Sequence, residues 1–146
     1  MSRAVPRLDM MPGHLLRRCQ QRAVELFAAE MGEQGPTPRQ FALLLCIRQN
    51  PGASQIELVR RSGIDRSTLA EMLRRLIERG LVARRRTKDD QRANALRLTA
   101  EGEALLTKAI PEVMAVQERI LAPIPRAQRA RMIALLSLIA DLPDGE

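Results

Sequence analysis

Arginine dominates the chemically capable side chains of this chain. Of its 24 basic residues, 22 are Arg. A guanidinium fork grips phosphates and guanine edges bidentately, which Lys cannot do. The charge is gathered rather than spread: residues 54–100 carry a net +6, against +3 over 1–53 and −2 over 101–146. A concentrated basic patch is the electrostatic footprint of a polyanionic partner. Catalytic chemistry, by contrast, is poorly supplied. The single histidine, His14, leaves no imidazole cluster for a metal. The chain has no Cys/His ligand spacing, no Gly-rich phosphate loop and no Ser/His/Asp arrangement. The expectation is therefore a binding protein with no catalytic residues, metal or cofactor. The two cysteines, Cys19 and Cys46, cannot form a disulfide framework. Both fall on or beside apolar helix faces, where a small buried hydrophobe is the default. Each has an Arg close in sequence (Arg18 and Arg48), so a redox-sensing thiolate stands as an alternative.

The elements that must position these groups are marked by caps and periodicity. A chain of 146 residues, 45% hydrophobic and 28% charged, reads as one soluble globular domain. No apolar run approaches the ~18–20 residues of a membrane span. The first residues lack the h-region and cleavage site of a signal peptide, which predicts a cytoplasmic protein. A first helix runs from Pro12-Gly13 to about Gly32, with Leu15, Leu16, Cys19, Ala23, Leu26 and Phe27 at helical spacing. Thr37, Pro38 and Gln40 write a capping box for a second helix, striped by Phe41, Leu44, Leu45 and Ile47 and stopped by Asn50-Pro51-Gly52. Ser54 and Glu57 write another box for a short helix to about Arg61. After the turn Ser62-Gly63-Ile64, Asp65 caps a longer helix to about Arg79, with Leu69, Leu73, Leu76 and Ile77 on one face and Gly80 as its stop.

A short helix, a tight Gly-containing turn and a longer helix make the helix-turn-helix layout. The first turns of its second helix meet base edges in the major groove. Here they carry Arg66, Ser67, Thr68 and Glu71, with Arg74 and Arg75 further along. Arg can read guanine, and Glu can accept from cytosine N4. After Gly80, two short strands flank the polar tip Thr87–Arg92, the wing of a winged helix. Arg84, Arg85, Arg86 and Lys88 fit phosphate contacts. Asp90 can hold Arg92 across the turn, ready for a narrow minor groove. Thr99 caps a long helix to about Leu121 that Pro111 should kink. After Pro123-Ile124-Pro125, a last helix spans Arg126 to Leu142 with the stripe Met132, Leu135, Leu136 and Ile139.

The run Asp65-Arg66-Ser67-Thr68, then Arg75-Leu76-Ile77-Glu78-Arg79-Gly80-Leu81-Val82, Asp90-Gln91-Arg92 and Leu96-Arg97-Leu98-Thr99-Ala100-Glu101-Gly102 resembles the MarR family of winged helix-turn-helix regulators. The family pattern is D-x-R at the wing tip, a leucine-rich strand, then L-T-x-x-G. The order and spacing fit across residues 65–102. The resemblance implies homodimers, palindromic double-stranded DNA operators and small-molecule effectors that release DNA. It makes Asp90 and Arg92 the wing pair and places residues 66–75 on the recognition helix. Glu71 stands where some members carry a basic residue. The stretch Met11 to Arg22, followed by Phe27, is similar to a subgroup that controls aromatic-acid catabolism, some members of which sense hydroxycinnamates or their coenzyme A thioesters.

The residues themselves support two further expectations. A winged domain of roughly 60–70 residues needs neither the first nor the last helices, and long apolar helices beyond a reader domain most economically pack on a second copy. His14, Arg18 and Arg22 are spaced four apart. Beside Leu15, Cys19 and Phe41, such cations could hold a carboxylate or phosphate over an apolar pocket. The expected fold is mainly α: a winged helix-turn-helix with a two-stranded wing and N- and C-terminal dimerisation helices. Residues 1–146 form one domain, with the DNA-binding core at about 37–100 and dimerisation helices at about 10–32 and 100–142. The expected function is a cytoplasmic transcriptional repressor released from its operator by a small aromatic acid or its thioester. Its alternatives are redox sensing through Cys19 or Cys46 and a protein-binding adaptor.

Overall fold

The computed structural model describes residues 4–86 and 94–142. The expected wing-tip residues Lys88, Asp90 and Arg92 lie outside the described residues. A 3-10 turn at Leu8–Met10 leads into α1 (Pro12–Met31), α2 (Pro38–Gln49), α3 (Gln55–Ser62) and α4 (Arg66–Glu78). Strands β1 (Val82–Arg86) and β2 (Asn94–Leu98) follow, then α5 (Ala100–Leu121) and α6 (Arg126–Ile139). The architecture is mainly helical, with one two-stranded antiparallel sheet in the register Val82↔Leu98 to Arg86↔Asn94. Among the described residues no helix is long and apolar enough to cross a membrane.

The local rules operate as the sequence writes them. Thr37 and Gln40 cap α2 reciprocally, and Ser54 and Glu57 do the same for α3. Each such cap satisfies backbone donors that would otherwise be left open, worth typically ~1 kcal/mol. Helix α4 ends in a Schellman motif. The Gly80 N–H donates to Ile77 O (3.0 Å) and the Leu81 N–H to Leu76 O (2.9 Å), with Gly80 at φ +73°. Only a residue without Cβ enters that left-handed region freely.

Two apolar clusters organise the chain. The larger joins Leu43, Leu44 and Ile47 of α2 with Leu58, Leu69, Leu73, Leu76, Leu96 and Leu106. The smaller lies between α1 and α5: Leu26, Phe27 and Met31 meet Ala109, Val113 and Val116. Helix α5 thus starts in the larger cluster and ends in the smaller one. It runs through Pro111 as one assigned helix. On α2, Leu43 and Cys46 are buried along with Leu44 and Ile47, while Phe41 and Leu45 of the expected stripe are half-buried; α3, α5 and β2 cover the helix from several sides.

The expected stripe on α1 holds only in its second half. Leu15, Leu16 and Cys19 are exposed, since the packing of α1 is concentrated on α5, through its second half, and on the 3-10 turn before it. No residue of α6 is fully buried among the described residues; Met132 is half-buried, and Leu138 and Ile139 are 72% and 61% exposed. One sheet contact had no periodicity to announce it. The Gly52 N–H donates to Leu96 O (3.0 Å) and the Leu96 N–H to Ala53 O (3.0 Å), an isolated bridge that ties β2 to the α2–α3 turn.

The start of α5 is fastened to the end of α4. The Thr99 hydroxyl donates to Gly80 O (2.6 Å) and accepts from the Gly102 N–H (3.1 Å), while the Thr99 N–H donates to Leu81 O (3.1 Å). A Cβ on Gly102 would stand 2.0 Å from Leu81 O, so α5 can approach this closely only because residue 102 is Gly. Gly102→Ala should destabilise the protein by about 1–3 kcal/mol, the usual cost of overpacking a tight contact. Urea midpoints at fixed protein concentration check it; an unchanged midpoint would remove this junction from the fold's determinants.

Candidate nucleic-acid interface and apolar cavity

Helix α4 buries Leu69, Leu73 and Leu76. At ~100° per residue, the side facing directly away from them is the row Ser67, Glu71, Arg74 and Glu78, and all four are exposed. Arg75 flanks this row and is exposed too; Arg66, at the first position of the helix, is exposed nearer the covered side, and Thr68 is half-buried. At the helix start, Asp65 accepts from the Thr68 N–H (2.9 Å) and from the Ser67 hydroxyl (2.9 Å). These bonds favour the carboxylate and hold it down at about 2. They also commit the Ser67 proton, leaving that hydroxyl to face a partner as an acceptor.

The middle of the row is an ion cluster. Arg74 donates to both oxygens of Glu71 (3.0 and 2.7 Å) and through Nη1 to Glu78 (2.5 Å), while Arg75 Nε donates to Glu71 (3.0 Å). Glu71 is held down at about 2, first by the Arg74 hydrogen bonds. Arg66 has no carboxylate partner among the described residues. Around the helix, Arg84 and Arg85 are exposed on β1, and Arg86 ends the strand. Arg60 and Arg61, at the end of α3, and Arg97 on β2 are exposed as well. Motif reading passed over these three, although each lies in the basic segment 54–100.

A second feature sits on the far side of α2. Helices α1, α2 and α5 line a half-open cavity of about 540 Å³. Its wall includes Ala23, Val24 and Phe27 of α1, Phe41, Ala42 and Leu45 of α2, and Val113, Met114 and Ile120 of α5; Gln20 and Gln117 are its only polar members. The volume lies in the range of small-molecule sites. Both phenylalanines of the chain stand in this wall.

Of the expected ligand set, the cavity takes in Phe41 and leaves out His14, Arg18 and Arg22. Arg18 and Arg22 are each two residues from Gln20, so they point ~160° away from it around α1. Arg22 instead lies 3.7 Å from Glu25. His14 Nδ1 is 3.2 Å from Arg17 Nη2. Arg17, one turn before Gln20, is the α1 arginine nearest the cavity side in helical angle, and motif reading passed over it. Cys46 is buried next to Asn50, and burial pushes its thiol above the ordinary value, the opposite of what a sensor thiolate needs. Cys19 is exposed.

The comparisons with known proteins agree on one lineage. The MarR family model matches residues 37–93. The HTH-type transcriptional repressor NicR of Pseudomonas putida is 30% identical over 129 residues, covering 88% of this chain and 82% of that protein. The PcaV transcriptional regulator of Streptomyces coelicolor, solved with its natural ligand, superposes with a TM-score of 0.86 at 34% identity, covering 97% of this chain and 100% of that one. BpsR of Bordetella bronchiseptica, whose DNA binding is regulated by 6-hydroxynicotinic acid, gives 0.84 at 27% identity over 94% and 99% of the two chains.

The Asp65 cap has a pH signature. Its folded pKa of about 2 lies below the ordinary 3.8. Its contribution is therefore complete above that ordinary value and is lost as pH falls toward the folded one, because the unfolded chain takes up the proton first. Asp65→Asn keeps an acceptor at the cap but cannot titrate. Stability should therefore fall less steeply through this window in the variant than in the parent. Urea midpoints across the window, at constant ionic strength, check this; parallel acid limbs would contradict it.

Proposed function

The chain belongs to the MarR family, and we propose that it is a transcriptional repressor, a homodimer that leaves a palindromic operator when a small aromatic acid or its coenzyme A thioester enters the α1–α2–α5 cavity. The observation that carries this reading is the cavity itself. It has aromatic and aliphatic walls, and its α5 side belongs to the same helix that is hydrogen-bonded at its start to the end of α4. A guest that shifts α5 has a mechanical route to the reader helix. NicR, a repressor, and BpsR, responsive to a pyridine carboxylic acid, support the functional class.

In this reading the guest's ring lies against Phe27 and Phe41, and Gln20 and Gln117 offer amide hydrogen bonds. A buried carboxylate needs a cation. His14 and Arg17 stand at the open end of the same helix, and Arg18 and Arg22, turned away from their own cavity, are available to the second copy. DNA contacts come from Arg66, Ser67, Thr68, Glu71, Arg74 and Arg75 on α4, from Arg84, Arg85 and Arg86 on β1, and from Lys88, Asp90 and Arg92 at the wing tip. The site of action is the cytoplasm. A second copy is called for by α6, whose apolar residues find no cover in their own chain.

Two measurements test the reading. Light scattering of the full chain at micromolar concentration should give a dimer, and Leu136→Arg with Ile139→Arg should give monomers that lose operator binding, because two reader helices must span about 34–36 Å of DNA together. A monomeric parent protein contradicts it. The second is titration of the preformed protein–operator complex with benzoate and a hydroxycinnamate, each as free acid and thioester. Release of DNA is expected, with DNA lowering effector affinity by the same factor. If neither form releases DNA, at millimolar acid or at tens of micromolar thioester, the effector class is wrong.

A further inference from the structure

The outward row of α4 carries its charges in an arrangement that the general reading does not use. A helix that binds DNA by phosphate attraction would present free cations there. This one presents Glu71 at the centre of the exposed side, directly opposite the Leu69–Leu73–Leu76 stripe. Glu71 holds Arg74 through two hydrogen bonds and Arg75 through a third, and Glu78 takes Arg74 from the other end. The two glutamates and two arginines sum to zero, so beyond its first turn the exposed side of α4 has no net charge to offer a phosphate.

We propose that Glu71 is a specificity-determining residue of the DNA interface: it withholds Arg74 and Arg75 from indiscriminate phosphate binding and reads a cytosine N4 amine in the major groove of each half-site. This rests on the DNA-binding reading above and deepens it. Two physical consequences follow from one carboxylate at that place. On arbitrary DNA it meets phosphates and the acceptor edges of guanine and thymine, a like-charge encounter that disfavours the wrong sequence, and the N6 amine of adenine is the one other donor, flanked by the N7 acceptor. Opposite a C·G pair it meets the one major-groove donor that a carboxylate accepts from cytosine. Exposed ion pairs of this kind are individually weak, about 0–1 kcal/mol. The cluster therefore does not lock the arginines in place. It sets how many net cations the helix presents, and hence how many counterions it displaces.

The test compares the parent protein with Glu71→Ala and Glu71→Gln. Each is assayed for salt-dependent binding to a random-sequence duplex and for base preference by selection from a randomised duplex pool. The alanine variant should bind random duplex more tightly, with a log–log salt slope steeper by about 1–2, at ~0.9 per phosphate engaged. It should also lose a cytosine preference at one position of each half-site. The glutamine variant keeps an acceptor oxygen but no charge, so it should share the steeper slope and retain part of the cytosine preference. Helix content by circular dichroism and the thermal midpoint should stay close to the parent's. A Glu71→Ala protein with the parent's slope and the parent's selected sequence overturns the proposal while leaving the DNA-binding reading intact. A parent protein with no salt-dependent duplex binding overturns that reading and this proposal together.

Discussion

The fold depends most heavily on the junction at Gly80, Leu81, Thr99 and Gly102. Three elements that bear on function end or begin there. Helix α4 terminates through Gly80 and Leu81, the hairpin departs from Val82, and α5 starts at Ala100. Thr99 bonds to the first, is the residue that follows the hairpin, and caps the last. Because Gly102 has no side chain, the first turn of α5 lies against the Leu81 carbonyl. Backbone groups at three chain ends are thus satisfied within one small volume, where each would otherwise need its own partner. The orientation of α4 relative to α5 is consequently set by short hydrogen bonds, not only by side-chain packing that can slide.

That rigidity matters because the chain's other surfaces are incomplete. Helix α6 and the first half of α1 present apolar side chains that nothing in the chain covers, while α5 joins both apolar clusters. In the proposed function, a motion of α5 at Val113 or Ile120 reaches α4 through Thr99, which is bonded to Gly80 O at the end of that helix. The cavity and the exposed row of α4 share no residue. In the proposed function, α5 and this junction give a guest its route to α4.

How much of this was legible in the sequence follows a physical line. Caps and stops are local chemistry: Thr37 with Gln40, Ser54 with Glu57, Asp65, Thr99 and Gly80 announce themselves within four residues, and each performs as read. The stripe of α4 was legible because that helix has one covered side. The cavity was not, because its wall is assembled from α1, α2 and α5, which lie up to a hundred positions apart in the chain, and apolar periodicity says nothing about whether two stripes meet or leave a gap. The spacing of His14, Arg18 and Arg22 marked cations on α1 but not which way they point, and the side occupied by Phe27 turned out to carry Gln20 instead. The ion cluster was half legible: residue types at i, i+3 and i+4 invite pairing, yet only geometry gives Arg74 two glutamate partners.

The composition of the cavity wall has an optical consequence. The chain contains no Trp and no Tyr, and its only two phenyl rings, Phe27 and Phe41, are both in that wall. The folded protein is therefore almost transparent in the near ultraviolet. A conjugated aromatic guest would be the dominant chromophore of its own complex. Its absorption would be seen against a dark scaffold, and its induced circular dichroism would report the chiral packing of two phenyl rings around it.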